Sequence, residues 1–113
     1  MTIVVYLASA LLCIGGHCYP ALIGNDTPTG NFPLVRRYVT AIGYGGDVMQ
    51  YAETDRDLLA IHRVWLGNPR EHRAERLASA DPAQRRAVTH GCINVMPEVY
   101  EQIVAANTLE IRY

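Results

Sequence analysis

The chain has 113 residues, enough for one compact domain with a working core and too few for two. Half of the residues are hydrophobic and 19% are charged, an ordinary globular balance that excludes wholesale disorder. The formal net charge of -1 lacks the basic excess of a nucleic-acid-binding domain, so no nucleic acid is expected as a partner.

The first fourteen residues are apolar, and Ala8-Ser9-Ala10 mimics a processing site. No Lys or Arg precedes the run, so the charged start of a clear signal peptide is missing, and the run is too short and interrupted for a membrane span. Thr2-Ile-Val-Val-Tyr6 reads instead as a buried strand, because β-branched residues suit a pleated sheet. Gly15-Gly16 is a two-residue hairpin signal between apolar runs at 11–14 and 17–23, since both turn positions favour positive φ. That turn sets Ile14 opposite His17 and Cys13 opposite Cys18. A cross-strand disulfide is then geometrically allowed and would imply an oxidising compartment. Two small buried hydrophobes is the plainer reading of the pair.

Residues 24–30 form a loop dense in turn formers, and residues 32–42 read as a strand with Pro33 at its start. A turn region follows over 43–47, then a short strand at 48–51. Leu58-Leu-Ala-Ile61 is a brief buried strand that ends at His62. The segment 63–88 differs in kind. Asn68-Pro69-Arg70-Glu71 and Asp81-Pro82-Ala83-Gln84 each place a capping residue before a helix-starting proline. Two short helices carrying Arg70, Arg73, Arg76, Arg85 and Arg86 are expected on the surface, where the arginines form a solvated charged face laced with Glu71 and Glu75; bidentate binding of a ligand's carboxylates by Arg63, Arg70, Arg73 or Arg76 is the second reading. Pro97 opens a third helix, Asn107 closes it, and Leu109, Ile111 and Tyr113 alternate along a last strand. The expected fold is mainly β, a sandwich or barrel over 1–113 with two or three short peripheral helices.

Thr89-His90-Gly91-Cys92-Ile93-Asn94 is the densest chemical signal. A cysteine becomes nucleophilic where histidine, positive charge or backbone dipoles favour its thiolate. A preceding glycine lets a substrate approach the backbone, where N–H groups can hold an oxyanion. Taken alone the triplet His90-Gly91-Cys92 is weak, and a structural cysteine beside a turn glycine is the common case. His62, rigid at a strand end, is the candidate general base. Zinc held by Cys92 and His90, with His62, is a remote alternative in which the protein is not an enzyme; it lacks a paired Cys-x-x-Cys.

The order of the pieces sharpens this. A Thr27-Pro28-Thr29-Gly30-Asn31-Phe32 loop precedes Ala60-Ile61-His62, and then comes the Cys92 loop. Together they resemble the L,D-transpeptidase catalytic domain family (YkuD-like), across nearly the whole chain. The resemblance implies an L,D-transpeptidase-like fold and a peptidoglycan L,D-transpeptidase working without cofactor or metal. Cys92 would attack a stem-peptide carbonyl, expel terminal D-alanine and form a thioester that a neighbouring amine resolves as a 3→3 cross-link. His62 would act as base and acid, with His90 in support and backbone N–H groups around Gly91 and Cys92 as the oxyanion hole. Thr89, Asn94 and Arg63 are candidate contacts to the peptidoglycan stem peptide. The same site resolved by water would be an L,D-carboxypeptidase, and resolved by D-amino acids an exchange enzyme, in either case with a delivered toxin or effector as a variant. The implied location is the cell envelope or periplasm.

Two features depart from the family pattern. His62 lies further upstream of Thr89 than the family's histidine usually does, and His72 fits that spacing better. His62 is preferred because the strand-then-histidine context matches, whereas His72 falls on an exposed helix. The extra length then makes 63–88 a helical, arginine-rich insertion over the cleft.

Overall fold

A computed structural model describes residues 1–40 and 44–113. The end of the strand expected over 32–42 (Ala41, Ile42) and the first turn residue, Gly43, lie outside the described residues.

The protein is mainly β, with two sheets facing each other across one core. The first sheet has the order β3-β2-β1-β9-β4, from His17–Pro20, Leu11–Ile14, Thr2–Tyr6, Thr108–Arg112 and Gly30–Pro33. The apolar opening segment is therefore strand β1, paired antiparallel with β2 and parallel with β9. The Gly15-Gly16 turn sets the expected register, Ile14 opposite His17 and Cys13 opposite Cys18. Both glycines take positive φ (58° and 84°).

The second sheet has the order β5-β6-β7-β8, from Val35–Tyr38, Asp47–Glu53, Leu58–Arg63 and Ile93–Val95. The strand expected to start at Phe32 is in fact shared between the sheets. Residues up to Pro33 pair with β9, buried Leu34 makes the crossing, and Val35 onward pairs with β6. Likewise, the chain leaves the first sheet after Pro20, and Leu22 exchanges both backbone hydrogen bonds with Asn94 on β8 (2.8 and 2.9 Å). Ile3, Val5, Leu12, Leu109 and Ile111 from one sheet meet Met49, Tyr51, Leu59, Ile61 and Ile93 from the other. Helix α2 (Pro97–Ile103) adds Val99, Tyr100 and Ile103 to this core.

Cys13 and Cys18 are disulfide-bonded, with Cα atoms 4.0 Å apart. Reading them as two buried hydrophobes is thus corrected: Cys13 is half-buried and Cys18 exposed, on a hairpin whose edge faces solvent.

The proline-started helices of 63–88 are shorter than the sequence pattern indicates. Asn68 and Asp81 cap as expected, accepting from the N–H groups of Arg70 (3.1 Å) and Ala83 (3.0 Å). Each cap opens only a 3₁₀ turn, Pro69–Glu71 and Pro82–Arg85. His72 in the left-handed region (φ 51°, ψ 39°) separates the first turn from helix α1 (Arg73–Ala78). Arg85 is not on the expected solvated face. It is buried, donating to the carbonyls of Ser9, Ala10 and Ser79, and so anchors the segment to the first sheet. Among the described residues no helix is long and apolar enough to cross a membrane.

Candidate active site

Strands β7 and β8 run parallel, pairing His62 with Asn94 and Ile61 with Ile93. Cys92 immediately precedes β8, so the sheet brings residues thirty apart in sequence to the same edge. Cys92, His62, His90 and Thr89 line one cavity of about 440 Å³, together with Tyr44, Val48, Arg56, Asp57, Leu58 and Arg73. A wider groove beside α1, of about 710 Å³, is lined by Arg70, His72, Glu75, Arg76 and Ser79, without a cysteine.

The loop carrying Cys92 is held from several sides. Thr89 Oγ1 donates to the Cys92 carbonyl (2.6 Å) and accepts from the Gly91 N–H (3.1 Å). The Gly91 carbonyl accepts from both Thr27 Oγ1 (3.0 Å) and the buried Tyr51 hydroxyl (2.7 Å). Thr27 Oγ1 accepts in turn from the Gly24 N–H (3.0 Å). Gly91 has φ +138°, a backbone conformation that favours glycine, and a Cβ there would also press on Leu59 Cδ2 at 2.8 Å. A Cβ on Gly24 would overlap the Thr89 carbonyl. The Thr-Pro-Thr-Gly loop therefore buttresses the Cys92 loop through its first threonine. The Gly91 N–H, offered by the sequence as an oxyanion donor, is engaged by Thr89.

Cys92 is a free, half-buried thiol whose Sγ–H points to the Leu58 carbonyl at 3.5 Å. Burial and, less strongly, the Asp57 charge push its pKa up, against the Ala60 N–H and Arg73, which favour the thiolate. His62 is buried, and its ring stands edge-on to Tyr44 with centroids 4.5 Å apart. Its Nδ1 lies 2.7 Å from the Arg63 carbonyl, which can only accept, so Nδ1 carries the proton. Nε2 then accepts from the Asn94 amide at 3.3 Å. Burial lowers the His62 pKa to about 4, with the Arg63 carbonyl opposing and Arg73 assisting. Both side chains are thus neutral at rest. Both ring nitrogens of His62 are engaged within the protein, and among the described residues no three His, Cys, Asp or Glu side chains cluster as a metal site would require.

The other candidates separate. Asn94 is fully buried, and its amide reaches His62, Trp65 and Arg73. His90 is exposed at the cavity rim. Arg63 turns away from the cavity. Its guanidinium pairs with Asp47 (2.9 Å) and Glu101 (3.1 Å) and lies 4.2 Å from the Tyr100 ring centroid. Arg73 is the arginine of 63–88 that lines the cavity. Gly24 and Tyr51 went unmarked as site-building residues, because glycine and tyrosine carry no local motif here, whereas Arg73 was expected on the solvated face of 63–88 or on a ligand's carboxylates, not against Asn94.

No protein-family model matches the chain, and no curated protein matches it either. Solved structures do share its shape, two of them as follows. One is L,D-transpeptidase 1 of Mycobacterium tuberculosis, at 18% identity and a TM-score of 0.53, matched over 99% of this chain. The other is the helical cell shape determining protein Pgp2 of Campylobacter jejuni, at 14% identity and 0.53, over 98%. This chain spans 61% and 46% of those two chains. Its fold is L,D-transpeptidase-like.

Proposed function

We propose that the protein is a cysteine acyltransferase of the bacterial cell wall, a peptidoglycan L,D-transpeptidase with Cys92 as nucleophile and His62 as base. The observation that carries this reading is the meeting of Cys92 and His62 on one cavity, beside a loop locked by Thr27, Tyr51 and Thr89. Substrate would draw the thiol from the Leu58 carbonyl toward the imidazole, whose Nε2 would exchange its long 3.3 Å contact with the Asn94 amide for the thiol proton, as catalytic hydrogen bonds often tighten only in the complex. Cys92 would then attack the stem-peptide carbonyl, and His62 would pass the thiol proton to the departing D-alanine amine. With the Gly91 N–H engaged by Thr89, the Cys92 N–H is the donor left to the oxyanion from the pair the sequence offered. The Cys13–Cys18 disulfide supports work outside the reducing cytoplasm.

Mass spectrometry of tetrapeptide muropeptides after incubation tests the reading. Cross-linked dimers are expected. Trimmed tripeptides would instead define a carboxypeptidase, and exchanged stems a D-amino-acid exchange enzyme. A carbapenem should leave a covalent adduct on the wild type and none on Cys92→Ala. An adduct retained by Cys92→Ala would overturn the assignment of the nucleophile.

A further inference from the structure

Asn94 joins the sequence segment 63–88 to the base. Its Oδ1 accepts from Arg73 Nη1 (3.0 Å) and from the Trp65 N–H (3.3 Å). Two donors on that oxygen fix the amide orientation, so Nδ2 must face His62 Nε2. Arg73 is itself held: Glu71 binds its Nε at 3.1 Å, and its guanidinium lies 5.2 Å from the Trp65 ring centroid. Its side chain is only 11% exposed. A cation in the first turn of α1 opposes the helix dipole, so helix stability does not account for its placement.

We infer that Arg73 is a positioning residue, which acts through Asn94 to hold the His62 ring in the orientation and tautomer that reaction at Cys92 requires. This rests on the reading of His62 as the base. Without the Arg73 donor, Oδ1 keeps only the Trp65 N–H at 3.3 Å, and the amide can turn its oxygen toward the imidazole. That flip would favour a proton on Nε2, in competition with the Nδ1–H bond to the Arg63 carbonyl, and so shift the tautomer away from the one with a free Nε2 lone pair. A planar, bidentate side chain is needed, because a lysine cannot grip Glu71, stack on Trp65 and reach Asn94 together. Arg73 also places a positive charge beside the imidazole. The other ionisable groups around that cavity are Tyr44, Arg56, Asp57, His90 and Cys92.

The test compares Arg73→Met, Arg73→Lys and, as a surface control, Arg70→Met. His62 is followed by its ring ¹⁵N signals across pH, and Asn94 by hydrogen exchange of its side-chain amide. Arg73→Met should raise the His62 midpoint, shift its ring signals toward the other tautomer and speed Asn94 exchange. Arg73→Lys should keep the midpoint near wild type yet still release Asn94. On muropeptides, both should lose kcat by roughly tenfold to a hundredfold with KM little changed. Wild-type tautomer and exchange in both Arg73 variants would overturn the inference. These signals are read with or without turnover, so a wrong substrate and a wrong role for Arg73 give different results. If Arg73→Met fails to fold, Arg73→Lys alone decides through Asn94 exchange and the His62 tautomer.

Discussion

A thiol beside a histidine is often pictured as a standing ion pair, but burial here disfavours both charges. Desolvation raises the Cys92 pKa and lowers that of His62, so under the proposed function the thiolate would form only during the reaction. One thiol per unreduced chain should react with iodoacetamide, since the other two cysteines are bonded to each other. Its rate should keep rising with pH beyond neutrality. A plateau below about pH 7 would reveal a preformed thiolate and contradict this electrostatic picture.

Between elements, the decisive contact is that of the Thr27 loop with the Cys92 loop. The Gly91 carbonyl has two donors, so Tyr51→Phe leaves it satisfied by Thr27 and should cost about 1 kcal/mol or less. Thr27→Val also strands the buried Gly24 N–H and should cost about 1–3 kcal/mol. The double variant should cost more than the sum, because only then is the Gly91 carbonyl buried without a partner. Urea unfolding of the three variants measures this. Strict additivity would mean that the two hydroxyls do not share one acceptor.

Acid should loosen the whole molecule in two stages. His62 binds a proton near pH 6.5 when unfolded but only near 4 when folded, so stability falls as pH drops through that window. The shift corresponds to roughly 3 kcal/mol. Asp47 behaves differently. Burial pushes its pKa up, yet Arg63, Arg36 and the Tyr100 hydroxyl outweigh this and hold it below 3.8. Its contribution is present above that value and is lost only as pH falls through the depressed one. Denaturant unfolding from pH 7 to 3 should show both stages, and His62→Gln should flatten the upper one alone. An upper slope that survives in His62→Gln would assign it to another group.

Local patterns fixed much of this protein. The Gly-Gly turn, the strand that carries His62, both proline-led caps and the resemblance carried by the Cys92 loop depend on neighbouring residues, which set backbone preference directly. Tertiary structure alone decided which residues hold the Cys92 loop and line its cavity. Tyr51, Gly24 and Arg73 reach the site across sheets and loops, and Arg63, adjacent to the histidine, is drawn away by Asp47. The strand shared between sheets at Leu34 and the buried Arg85 are of the same kind. A side chain's partner is chosen by packing between segments distant in sequence, and neither period nor motif records that choice.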